Sequence, residues 1–207
     1  MRMCLALVVT GLVSFFVAAE GSLVQLMATS RLFFWGLIIA EFGVVIAISG
    51  ALHKMSSATA SLLFYLYAVL NGIVFSTLFY AFDLSSLAQT FLITAGVFGA
   101  MTAYGYFTKN DLSRFGSLMV MALFGLIICT IVNIFIASST MDWIISFAGV
   151  AIFIGLTAWD TQKIKTMLAY DGGANTGKIA TIGALSLYLD FINLFLYLLR
   201  FFGSSRE

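Results

Sequence analysis

The sequence predicts an all-α membrane protein with seven transmembrane helices, and three observations carry that expectation. Of 207 residues, 62% are hydrophobic and only 9% charged, with a mean hydropathy of +1.08. A water-soluble domain carries roughly 45–50% apolar and about 25% charged residues, so this chain has too few polar groups to cover a globule. Apolar stretches recur over residues 3–19, 31–52, 59–82, 87–107, 115–137, 142–163 and 180–202. Each is long enough to cross a hydrocarbon layer of about 30 Å at 1.5 Å per residue, and in lipid such a run must be helical to satisfy its own amides. Seven spans of about 20 residues use about 140 positions. That leaves one transmembrane domain over 1–207 and no room for a second, soluble one. Net charge is +1, without the concentrated basic patch that a nucleic-acid partner needs.

The first span follows Arg2 and ends at Val17-Ala18-Ala19 before Glu20. That pattern fits a retained helix or a secretory signal with its cleavage site, and the retained helix is the expectation. Whether a polar tail precedes it stays open. The second span opens at Arg31, carries Glu41 near its middle and runs into Leu52-His53-Lys54. The third holds Asn71. The fourth, with Gly96, Gly99 and Ala100, offers small residues for close helix approach. The fifth holds Cys129 and Asn133. Cys129 and Cys4 read as small buried hydrophobes rather than a disulfide pair. The sixth carries Asp160 and ends near Lys165; the loop Asp171–Lys178, with Gly172 and Gly173, reads as a flexible connection. The seventh carries Asp190, Asn193 and Arg200. With no proline in the chain, any kink has to arise at glycine, serine or a local bulge.

Loop cations orient the bundle. One face collects Arg2, Lys54, Lys109, Arg114, Lys163, Lys165 and Lys178; the other collects Arg31, Arg200 and Arg206. The cation-rich face is expected in the cytoplasm, with the N-terminus there and the C-terminus outside.

Three carboxylates lie where lipid would surround them. An ionised acid at mid-bilayer costs on the order of 3 kcal/mol. Glu41, Asp160 and Asp190 are therefore expected to face the bundle interior, pair with a cation, or hold a proton. A polar clamp between helices and a place on an ion or proton path are both open readings for each, and three in one small bundle favour the path. Asp160 lies about 7 Å from the inner end of its span and Asp190 about 12 Å into the next, so the two can meet. Two carboxylates in a low-dielectric site tend to share a proton, which makes such a pair a candidate pH sensor. Arg200, about 15 Å beyond Asp190, either snorkels at the outer boundary or turns inward toward Glu41. Asn71, Asn133 and Asn193 are candidates to line the same interior, although one such asparagine more commonly bonds helix to helix.

Several chemistries are excluded. His53 is the only histidine, so no histidine metal cluster or HExxH protease exists. A retinal Schiff base has no lysine in the seventh span, and the aspartates lack an intramembrane protease's glycine and proline context. No enzyme is expected.

The stretch Ala184-Leu185-Ser186-Leu187-Tyr188-Leu189-Asp190-Phe191-Ile192-Asn193-Leu194-Phe195, continuing to Leu198-Leu199-Arg200-Phe201-Phe202-Gly203, resembles the C-terminal signature of the Bax inhibitor motif family. The resemblance extends to Trp159-Asp160-Thr161-Gln162-Lys163-Ile164, to Asn133-Ile134-Phe135 and to Glu41. It implies two three-helix layers around a central seventh helix, and, from the family's bacterial YetJ-like branch, a pH-sensitive calcium leak channel. Carried over residue by residue, it makes Asp160 and Asp190 a di-aspartyl pH sensor, and Glu41 and Arg200 an acidic–basic pair along the pore. The family's latch arginine is missing, leaving His53 or Lys54 to pair with Asp160. Lysine supplies charge without a bidentate fork, and histidine adds its own titration.

The first functional expectation is thus a proton-gated Ca²⁺ leak through a bacterial plasma membrane, with Asp160, Asp190 and Glu41 as oxygen ligands to the passing ion. The lipid bilayer, Ca²⁺ and H⁺ are the implied partners; protein partners are not specified. A proton- or ion-coupled transporter and a regulatory scaffold without transport are the competing readings.

Overall fold

A computed structural model describes residues 1–51, 55–173 and 175–204. Among them the chain is helical almost throughout, with no strand. The helices are α1 (Arg2–Glu20), α2 (Ser22–Thr29), α3 (Arg31–Ala51), α4 (Ser57–Phe75), α5 (Leu78–Ala81), α6 (Leu84–Phe107), α7 (Ser113–Ile136), α8 (Ser139–Tyr170) and α9 (Thr176–Phe202). Seven stretches among the described residues are long and apolar enough to cross a membrane, α4 and α5 together supplying one of them. The short helix α2, which hydropathy does not mark, fills the turn between the first two spans. Gly21 makes that turn possible: at φ 76° it ends α1 and starts α2, a left-handed conformation that glycine adopts without a Cβ penalty.

The chain divides into two compact units, Met1–Leu84 with Gly173–Tyr188, and Ser85–Gly172 with Leu189–Ser204. The first therefore holds the first three spans, the second the next three, and α9 contributes to both. In keeping with that, α9 is the most buried span, at 61% of its apolar window against 6% for α3.

In the first unit α1 runs along α4. Gly72 lets the two backbones close up, since a Cβ there would lie 2.7 Å from Val13 Cβ. Hydroxyls then stitch the contact: Thr10 Oγ1 lies 3.0 Å from Ala68 O and Ser14 Oγ lies 3.0 Å from Gly72 O. Arg2 reaches the start of α9, donating to Gly177 O at 2.8 Å and to Thr181 Oγ1. In the second unit α7 packs on α8, with the Trp159 ring filling the space over Gly116 and with Phe115 and Met119 against Gly155. Phe191 of α9 meets the rings of Phe91 and Phe98 edge-on, both at 5.4 Å.

Two boundaries and one burial differ from the sequence expectation. Helix α8 does not stop near Lys165 but runs to Tyr170, and α9 begins at Thr176 rather than near Ile182. Loss of hydropathy marks where lipid ends, not where a helix ends. No residue breaks the helix until Gly172 and Gly173, which take φ of 59° and 97°. Cys4 and Cys129 are free, but exposed rather than buried, because an apolar helix face in lipid needs no protein cover. The latch candidates His53 and Lys54 lie outside the described residues.

Candidate functional site

The second unit contains both membrane aspartates. Asp160 sits on α8 after Trp159, half-buried; Asp190 sits on α9 and is only 4% exposed. Their carboxylates are near enough for the charge of one to act on the other. One oxygen of Asp190, Oδ2, is buried without a hydrogen-bond partner among the described residues, which for a carboxylate in a low-dielectric interior is costly unless a proton or a cation joins it. One helical turn past Asp160, Lys163 places its ammonium 4.7 Å from the centre of the Trp159 ring, and its charge acts on Asp160. A cavity of about 460 Å³ opens beside these residues, between Asp111 and Ser113 on one side and Trp159, Gln162 and Lys163 on the other. Gln162 fixes that wall by accepting from Leu112 N and donating to Asn110 O, each at 2.8 Å. At its rim, hydrogen bonds from Ser113, helped by the Arg114 charge, hold the Asp111 carboxyl below the usual carboxylate range.

Helix length adjusts the depths of the two aspartates by similar amounts. Asp160 is ten residues from the end of α8 and Asp190 fourteen from the start of α9, about 15 and 21 Å along the two helices.

Glu41 belongs to the first unit. Its Oε1 is buried with no hydrogen-bond partner among the described residues, and its charge acts on the phenols of Tyr67 and Tyr188. Among the described residues, no three His, Cys, Asp or Glu side chains converge to hold a metal. Arg200 is exposed, stacks 5.5 Å from the Tyr197 ring centre and lies 3.5 Å from Ser146 Oγ.

The asparagines divide. Asn133 closes the α7–α8 turn: its Nδ2 donates to Asp142 Oδ1 at 2.8 Å and to Ser138 O at 3.3 Å, and its Oδ1 accepts from Ser138 N at 3.1 Å. Asn193 donates back to Leu189 O at 2.8 Å within its own helix. Asn71 is 4% exposed, and its Nδ2 is buried without a hydrogen-bond partner among the described residues. Sequence reasoning missed Tyr67, Tyr188 and Thr10, which surround this region. The available signal was the spacing of Tyr67 and Asn71, four apart on one face of a helix, but an aromatic hydroxyl in an apolar run raises no alarm by itself.

Seven apolar spans with ionisable groups held between them define a multi-pass membrane protein. The whole chain, residues 1–207, matches the model of the family described as "Inhibitor of apoptosis-promoting Bax1", and the chain belongs to this Bax inhibitor family. It is 44% identical over 207 residues to Inner membrane protein YbhL of Escherichia coli K12, covering 99% of this chain and 88% of that one. It is 42% identical over 208 residues to protein RP147 of Rickettsia prowazekii, with 99% and 87% covered. To the membrane protein SpyM3_0260 of Streptococcus pyogenes it is 40% identical over 184 residues, with 89% and 80% covered.

Proposed function

We propose that this protein is a proton-sensitive Ca²⁺ leak path in a bacterial inner membrane, with its N-terminus in the cytoplasm and its C-terminus outside. The observation that carries the reading is the Asp160–Asp190 pair: two carboxylates within electrostatic reach, one of them 4% exposed with an unpartnered oxygen. Close acids in a dry site exchange protons as a unit, and carboxylates are the hard oxygen donors that Ca²⁺ prefers. With Asp160 ionised, a nearby cation holds it and the inner end stays shut; protonation removes that attraction and favours opening. Lys163, one turn along α8, brings one such charge to Asp160, and the latch cation is proposed to come from His53 or Lys54. Orientation rests on the seven loop cations against three, and the inner membrane on the likeness to YbhL. No catalytic step belongs to this reading.

Ca²⁺ flux into proteoliposomes, measured across pH, tests it. The pH dependence should be lost or displaced in Asp160→Asn and Asp190→Asn. Flux with an unchanged pH profile in both variants removes the sensor role, and no flux from the wild-type protein leaves the scaffold reading instead.

A further inference from the structure

Proton sensing makes no use of the cavity beside Trp159, whose walls carry unlike charges. We propose that this cavity is a headgroup site for a zwitterionic phospholipid, with the lipid phosphate held by Lys163 and its primary ammonium by Asp111. Phosphatidylethanolamine is the class of lipid that fits this arrangement. Such a site lies beyond the leak reading and can be measured without Ca²⁺ flux.

Its place in the fold sets it at headgroup depth. The cavity opens beside the loop that joins the end of α6 at Phe107 to the start of α7 at Ser113, against α8. Two apolar spans give way to polar chain at this level. Tyr104, Tyr106, Phe107 and Phe115 are all exposed near these helix ends, the aromatic enrichment that marks a membrane–water boundary. The volume of about 460 Å³ lies within the range of about 300–1,000 Å³ that small-molecule sites occupy.

The polar groups of the wall divide into those already committed and those left for a ligand. Gln162 is committed at both ends, to Leu112 N and Asn110 O at 2.8 Å each, so it holds the loop in place. Thr166 spends its hydroxyl hydrogen on Gln162 O at 2.9 Å and can only accept. Asp111 takes Ser113 N on Oδ1 at 2.9 Å, which leaves a carboxylate with room for further donors. Among the described residues no ion pair joins Asp111 to Lys163, so the two charges stand apart across the cavity. A single ligand carrying both signs can bridge them, phosphate to the Lys163 ammonium and N–H donors to Asp111 and Thr166.

The same wall discriminates against other headgroups. A quaternary choline ammonium has no N–H to give Asp111. The Trp159 ring, which would receive it by cation–π attraction, is already taken by Lys163 at 4.7 Å and packed against Gly116. A headgroup with phosphate alone brings no cation to Asp111.

Native mass spectrometry of delipidated full-length protein in detergent reads the site. The probes are phosphatidylethanolamine, phosphatidylcholine and phosphatidylglycerol with matched acyl chains, and glycerophosphoethanolamine as the headgroup without chains. The wild-type protein should bind phosphatidylethanolamine about fivefold tighter than either other lipid, the factor that an exposed charge pair supplies. Asp111→Asn should erase the preference over phosphatidylcholine, and Lys163→Gln should weaken all three lipids. Asp111→Lys makes the wall wholly basic and should turn the preference toward phosphatidylglycerol, a gain that misfolding cannot mimic. Equal binding of the three lipids by the wild-type protein, or a preference untouched by both Asp111 variants, overturns the site. Glycerophosphoethanolamine bound as tightly as the lipid would make this a pocket for a soluble zwitterion and overturns the membrane source.

Discussion

Replacing Gly72 by alanine tests the packing of the first unit with a single methyl group. An added Cβ would lie 2.7 Å from Val13 Cβ, 2.9 Å from Val13 Cγ1 and 2.9 Å from Thr10 O. Carbon atoms pack at about 3.5–4.0 Å, so α1 must retreat from α4 by roughly 0.8–1.3 Å. That retreat carries the 3.0 Å contacts of Thr10 to Ala68 O and of Ser14 to Gly72 O past hydrogen-bonding distance. Both hydroxyls keep a carbonyl of their own helix, Ala6 O at 3.0 Å and Thr10 O at 2.8 Å, so each loss is limited to about 0.6 kcal/mol or less. Overpacking adds about 1–3 kcal/mol, and better helix propensity returns up to about 1 kcal/mol. The net expectation is a destabilisation of about 1–3 kcal/mol. Gly43, on α3, supplies the comparison: an added Cβ there would meet nothing within 4 Å, so Gly43→Ala should be neutral or slightly stabilising. Unfolding free energies by steric trapping in bicelles read both variants. Equal effects at the two glycines would refute close backbone approach at the α1–α4 crossing.

Two further outcomes concern the second unit. Asn133→Leu removes all three turn contacts of Asn133 and should cost about 1–3 kcal/mol in the same trapping assay, with the pH profile of Ca²⁺ flux unchanged; altered ion selectivity at unchanged stability would instead put Asn133 on the ion path. Asp111, whose carboxyl is held low by Ser113, lends its loop a stability that is present above the unfolded value and lost only as pH falls through the lower folded one. Asp111→Asn should therefore leave the flux midpoint where it is, and a displaced midpoint would make this loop the proton sensor.

How much of this was legible beforehand depended on what lipid forbids. Seven spans could be read because a bilayer demands about 20 apolar residues per crossing, and the acids of those spans stood out because lipid makes them expensive. The same logic is silent on features that cost lipid nothing. The interruption at Ser76 and Thr77 is one: both hydroxyls donate three residues back, to Ile73 O at 2.6 Å and Val74 O at 2.8 Å. Yet Thr10 and Thr94 bond backward inside unbroken helices, so composition cannot distinguish the cases. Asn133 shows a different limit. Its polarity was evident, but a position three residues before the end of α7 can cap a turn or line a path, and only the partners decide.

The expected depths of Asp160 and Asp190 tolerate a shift in both helix ends, for a geometric reason. Depth along a hairpin is counted from the turn. Extending α8 from near Lys165 to Tyr170 and starting α9 at Thr176 instead of near Ile182 pushes both acids further from that turn by similar amounts, about 8 and 9 Å. The difference in depth, which governs whether two side chains can meet, moves only from about 5 to about 6 Å. Meeting across a hairpin is therefore robust to errors that lengthen both arms together. No such cancellation protects Glu41, which lies on a different span, so its depth has no partner arm to move with it.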